Sequence, residues 1–180
     1  MDIKKGFTIV EFLAALLITS TIIAYGIPAF SDLSYRTHRT AAINHFVSML
    51  IYTRSEALKR NSIVIFCLSS SDEACMTGSS TLWQQGIVFP DSNQDGVKDS
   101  SESLLKVFDP DNNVNIYASS IYRRKIKFYP DGSTPVSNTT VLFCDPARKG
   151  DPKAVIISTT GRPRISDSDA SGSKLVCPDS

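Results

Sequence analysis

From Phe7 to Phe30 the chain is apolar at almost every position and carries one charge, Glu11. About twenty apolar residues in helical form cross a bilayer, so residues 7–30 predict a helix of transmembrane length. Beyond Phe30 the pattern changes. Ile43, Phe46, Val47, Leu50, Ile51 and Leu58 recur at three- and four-residue steps, which is one apolar stripe on an amphipathic helix. Arg36, Arg39, Arg54, Lys59 and Arg60 fall mostly elsewhere. The two runs read as one helix from Phe7 to about Lys59, roughly 80 Å long at the usual rise per residue. Gly26 and Pro28 predict a kink in it, because proline removes a backbone donor and clashes with the preceding turn.

After residue 60 the apolar runs become short. Ile63–Leu68, Gly86–Phe89, Leu104–Phe108, Ile126–Tyr129, Val141–Cys144 and Ala154–Ser158 are β-branched or aromatic and bounded by Gly, Pro, Asp, Asn or Ser. Each predicts a strand. The second half of the helix must bury its stripe, and a one-sided antiparallel sheet is a natural cover. The expected fold is α+β: a long kinked N-terminal helix over 7–30 and 31–60, packed against an antiparallel β-sheet head over 61–180.

The chain has 180 residues, 42% hydrophobic and 21% charged, which fits one domain with an extension. Its charge is unevenly placed. Residues 31–69 hold five basic and two acidic side chains, residues 70–114 two and eight, and residues 115–180 ten and six. The middle is acidic and both flanks are basic. Four cysteines, Cys67, Cys75, Cys144 and Cys177, lie outside the apolar run. Disulfides are favoured outside the cytosol, and three pairings are open. Cys67–Cys75 with Cys144–Cys177 is preferred: the first closes a short Ser-rich loop and the second ties the tail to a strand. A zinc site would want closely spaced Cys or His pairs, which this sequence lacks.

The start of the apolar run carries the most specific signal. A secretory signal ends in a small-residue cleavage site after its apolar stretch. Here Lys4-Lys5-Gly6 comes first, with Phe7 next and Glu11 five residues into the run. This junction resembles the type IV pilin family, including the related type II secretion pseudopilins. The resemblance implies a prepilin peptidase that cuts between Gly6 and Phe7, removes the leader 1–6 and N-methylates Phe7. It implies a single pass through the bacterial inner membrane, with contact to its lipid and the head in the periplasm. It further implies transfer by inner-membrane assembly machinery into an extracellular pilus of major and minor pilins. An ordinary anchor gives no reason for Glu11. A carboxylate within a bilayer costs about 2.5–3.5 kcal/mol on insertion scales, and the ammonium of Phe7 on a neighbouring subunit would offset it.

The head resembles the GspH/FimT branch of minor pilins. The matching pieces are Trp83-Gln84-Gln85-Gly86-Ile87-Val88-Phe89, Phe128-Tyr129-Pro130-Asp131-Gly132, Leu142-Phe143-Cys144 and Ile157-Ser158-Thr159-Thr160-Gly161-Arg162. Members of this branch prime assembly or sit at the tip, and FimT members are linked to DNA uptake. Gly161-Arg162-Pro163-Arg164 is similar to the Gly-Arg-x-Arg tail of those members, which implies DNA contacts at Arg162 and Arg164. Arginine offers a planar fork to phosphate and guanine edges. Arg148, Lys149, Lys153 and Lys174 would widen the patch, as would Arg123, Arg124, Lys125 and Lys127. The bland alternative is a solvated turn, or an arginine paired with Asp167, Asp169 or the Asp91–Glu102 loop. A head without net positive charge limits the expectation to weak, salt-sensitive, sequence-independent binding of double-stranded DNA.

Asp91 to Glu102 matches an EF-hand string, with Asp91, Asn93, Asp95, Asp99 and Glu102 at ligand positions and Gly96 at the sixth. A strand ending in Pro90 precedes it instead of a helix, so an Asp/Asn/Gly turn is the plainer reading and calcium the lesser one. No nucleophile–base pair, phosphate loop or paired catalytic carboxylates stand out, and His38 and His45 read as helix-surface residues. The expected class is a filament subunit. The alternative is a minor pilin or pseudopilin that primes or caps the filament without binding DNA.

Overall fold

The computed structural model describes residues 6, 8–71, 74–146 and 150–178, with the side chains of 26–29 and 31 also left aside. One helix, α1, runs Ile9–Arg60. Thr8 caps its start. The Glu11 backbone N–H donates to Thr8 Oγ1 at 3.2 Å, and the Thr8 N–H donates to Glu11 Oε2 at 3.0 Å. This is a reciprocal capping box. Asn61, with φ of 51°, closes the other end in the left-handed conformation. The helical backbone is unbroken through positions 26 and 28, but the side chains on which the expected kink rests lie outside the described ones.

Two antiparallel sheets receive the second half of α1. The first contains β1 (Val64–Ser71), β2 (Ala74–Cys75), β3 (Gln85–Pro90), β4 (Lys106–Phe108) and β6 (Lys125–Phe128), with β1 central and β6 on its β2 side. The second is ordered β5 (Asn115–Ala118), β7 (Thr139–Cys144), β8 (Lys153–Ile157), β9 (Pro163–Ser166). A turn of 3-10 helix, Ile121–Arg123, leads into β6. The predicted single sheet is therefore two. They are joined where the Trp83 N–H donates to the Ile116 carbonyl at 2.7 Å and Leu82 bridges Tyr117.

Phe46 is the hub of the core. Its ring lies 5.3 Å from Phe66 and Trp83, 5.6 Å from Phe108 and 5.7 Å from Phe143. It therefore touches both sheets from the helix. The buried helix face is Ala42, Ile43, Phe46, Met49, Leu50, Thr53, Glu56 and Ala57. Ile51 and Leu58, placed on that stripe by the sequence, lie more than half exposed. The burial steps follow Phe46, Met49, Leu50 and Thr53, and Ile51 falls about a quarter turn beyond them.

Among the described residues nothing covers the N-terminal half of α1. Ile9, Val10, Phe12, Leu17, Ile18 and Ile22 are all exposed. Among the described residues, no helix is long and apolar enough to cross a membrane. The expected span over 7–30 draws on Phe7, Ile27 and Ala29, which lie outside the described residues or side chains. What remains is interrupted by Glu11, Thr19, Ser20 and Thr21.

Candidate functional site

Two disulfides shape the outer surface. Cys67 pairs with Cys75 across the β1–β2 hairpin, with Cα atoms 5.7 Å apart. Cys144 pairs with Cys177, Cα to Cα 6.1 Å. Along β7, Val141 and Phe143 face the helix, so Cys144 and Leu142 point the other way. The second bond therefore lays the C-terminal segment over the outer face of the second sheet, where Leu175 buries against Ala154 and Ile156.

Gly161-Arg162-Pro163-Arg164 leads into an edge strand, β9. Pro163 and Arg164 pair with Ile157 and Ile156. Gly161 has a φ of +73°, and a Cβ there would stand 2.2 Å from the Gly132 carbonyl oxygen. Two turns are thereby pressed together, and Thr134 locks them by donating from its backbone to Thr159 (2.8 Å) and from its hydroxyl to Ser158 (2.7 Å). Gly161 is what lets the two turns come this close. Arg164 lies in β9 and Arg162 immediately precedes it, its carbonyl accepting from the Ser158 N–H at 3.2 Å. Arg164 lies opposite Ile156, on the outer face, and both arginines are exposed. Among the described residues neither has an acidic partner. Asp167 pairs with Lys153, and Asp169 accepts from the Ser171 and Ser173 N–H groups at 2.8 Å each. The Ser171 hydroxyl, which donates at 2.7 Å, and after it the Ser173 N–H hold the Asp169 carboxyl below the usual carboxylate range.

The wider basic patch loses Lys153. Lys153 neighbours Ala154 but points to the opposite face, where it lines a cleft with Tyr35, Arg36 and Arg39. Lys174 is exposed and bridges Ser168 in the covering segment. Arg148 and Lys149 lie outside the described residues, as does Phe7. Arg123, Arg124, Lys125 and Lys127 belong to the first sheet and its lead-in turn, not to the second.

The Asp91–Glu102 loop is closed upon itself. The Asp91 carboxylate is buried and accepts from the Gly96 N–H at 3.1 Å, with the Lys127 ammonium 3.5 Å away. Glu102 accepts from the N–H groups of Ser92 (2.7 Å) and Asp99 (3.2 Å). The Asn93 amide donates to Asp95 and Asp99 at 3.0 and 2.8 Å. Lys125 donates to the Gly96 carbonyl at 2.6 Å. Among the described residues no group of three or more His, Cys, Asp or Glu is placed to hold a metal ion. His38 meets Asp111 at 2.6 Å, tying α1 to the segment before β5, and His45 packs on Phe108 at 4.8 Å.

Glu11 is engaged within its own chain. Besides the backbone bond, the Thr8 hydroxyl donates to its carboxylate at 2.9 Å. The string Thr8-x-x-Glu11 ahead of an apolar run is a capping-box signature, and sequence reasoning passed over it.

A long helix with a bare apolar half, carrying a disulfide-tied two-sheet head, can be set beside known proteins. The family model described as type II transport protein GspH matches residues 42–161. The chain belongs to the GspH family. No curated protein matches it. Two crystal structures of the type IV minor pilin FimU from Pseudomonas aeruginosa share its fold. One is 16% identical with a TM-score of 0.57, over 74% of this chain and 92% of that one. The other is 18% identical with a TM-score of 0.52, over 71% and 91%. The GspH match begins on the buried stripe of α1 and ends at Gly161, so it spans the helix–head core. This chain therefore has the type IV pilin fold of FimU.

Proposed function

We propose that this GspH-family chain is a minor pilin whose head binds DNA. Its leader is removed between Gly6 and Phe7 by a prepilin peptidase, and Phe7 is N-methylated. The chain waits as a single-pass protein in the inner membrane with its head in the periplasm. The assembly machinery then moves it into a pilus beside other major and minor pilins. Family membership and the exposed apolar half of α1 support this reading. An unpartnered helix that is apolar all round needs either lipid or its own kind.

The DNA reading is supported by two exposed arginines, Arg164 on the edge strand β9 and Arg162 immediately before it, with the nearby acids occupied elsewhere. Two guanidinium groups so placed can bracket phosphates of a duplex without reading its sequence. Many copies along a filament would add avidity. The charge-neutralising double variant Arg162→Gln with Arg164→Gln is expected to abolish a duplex gel shift by the full chain in neutral detergent. Its thermal unfolding is expected to be unchanged, because both side chains are exposed. An unaltered gel shift would remove these residues from the site.

The matched family is described as type II transport proteins, and that favours a second reading, a pseudopilin that primes or caps a secretion filament. A deletion strain separates the two. Loss of transformation or twitching supports the pilus, whereas loss of protein secretion alone supports the pseudopilin.

A further inference from the structure

A second basic surface lies on the first sheet, away from the arginine pair. The 3-10 turn Ile121–Arg123 and the start of β6 border a cleft of about 320 Å³, lined among others by Tyr122, Arg124, Lys125, Lys127, Met76 and Val136. No carboxylate lines it among the described residues. Arg124 is held in place by two backbone carbonyls, Ile121 at 2.7 Å and Ser80 at 3.2 Å. Arg123 is fixed in the same way by Val136 (3.2 Å) and Asn138 (2.9 Å). Neither has an acidic partner among the described residues. Asp91 answers Lys127 at 3.5 Å, Asp91 and Asp95 both act on Lys125 through space, and the Lys125 ammonium is steadied by the Gly96 carbonyl at 2.6 Å. Burial and the neighbouring Lys127 both push the Lys125 ammonium below its ordinary range. The cations are thus crowded, pre-positioned and in excess over the acids that face them. Beside them Tyr122 holds its ring out to solvent, 87% exposed, with Val136 at 62%.

We infer that this cleft binds single-stranded nucleic acid, with a backbone phosphate between Arg124 and Lys125 and a base stacked on Tyr122. A fixed cation pair next to a bare aromatic face is the combination single strands require. The charges track the backbone, and stacking accepts any base. A duplex offers no free base face to Tyr122, so this surface is distinct in preference from the Arg162/Arg164 pair and does not depend on it.

The test is fluorescence anisotropy of a labelled twelve-residue oligothymidylate with the full chain in neutral detergent, over a series of salt concentrations. Tyr122→Ala is expected to weaken binding about tenfold, the scale of one stacked base, while Tyr122→Phe retains it. Arg124→Gln with Lys125→Gln is expected to weaken binding and flatten the salt slope by about 0.7, one phosphate contact of a single strand. Arg162→Gln with Arg164→Gln is expected to leave the Tyr122 effect in place, so the failure of either surface is seen separately. Equal binding by Tyr122→Ala and the unaltered chain overturns the inference. So does capture of the chain by anionic phospholipid vesicles without any binding of the oligonucleotide, which would assign the cations to a lipid surface.

Discussion

Gly161 shows how a glycine in the Gly-Arg-Pro-Arg string serves the fold. Its positive φ and the 2.2 Å approach of the Gly132 oxygen leave no room for a side chain. Gly161→Ala is expected to lower stability by more than about 1 kcal/mol, since alanine gains no unfolded-state advantage where φ is positive. Thermal unfolding checks this, and the Arg162 contacts should weaken with it. Glu11 poses the opposite question, because one carboxylate can cap its own helix or pair with a neighbour's ammonium. Glutamine caps as well as glutamate in a capping box, but it carries no charge. If the ion pair matters, Glu11→Gln is excluded from filaments as fully as Glu11→Ala. If capping is its whole role, Glu11→Gln enters normally. Asp111 sets a third test. The Asn113 N–H donor, and after it His38, hold its carboxyl below the usual range. A carboxyl depressed in the folded state stabilises the fold above its unfolded value, near 3.9, and loses that contribution as pH falls through and below it. The melting temperature should therefore fall steeply below about pH 4, and Asp111→Asn should make that fall shallower.

At the scale of elements, the sequence was most legible where burial was deepest. The strands around Phe66, Val88, Phe128, Phe143 and Val155 announce themselves as β-branched and aromatic runs with turn residues at both ends. Three strands were missed: Asn115–Ala118, buried but only four residues long, and two that lacked that signature. Ala74–Cys75 is two residues long and held by a disulfide. Pro163–Ser166 has proline and arginine, which suit an edge strand but read as loop. The helix stripe was read slightly out of phase because Ile51 and Leu58 are apolar yet outward-facing. Phe46, by contrast, stands in both readings. Phe46→Ala is expected to cost about 3–5 kcal/mol, as for other buried aromatic truncations. Chemical denaturation measures it, and a loss under 1 kcal/mol would mean that the two sheets do not depend on this ring.

For the molecule as a whole, the candidate site was only half visible in the sequence. Arg162 and Arg164 were found by motif. Their separation from Lys153 was not, because one position along a strand reverses the face and only the register reveals it. The position of Arg124 and Tyr122 beside a cleft depends on how β6 joins β1, a pairing of residues about sixty apart. What the sequence carries best is the division of labour: a bare apolar rod, a stripe that docks it, and a head that presents charge outward. That division makes sense for a subunit that polymerises through its rod. Mass spectrometry of the chain recovered from sheared surface filaments tests it most directly. The account predicts a population that begins at Phe7 with a methyl group on its amine. Its absence from the filaments, or recovery there with Met1 still attached, would contradict it.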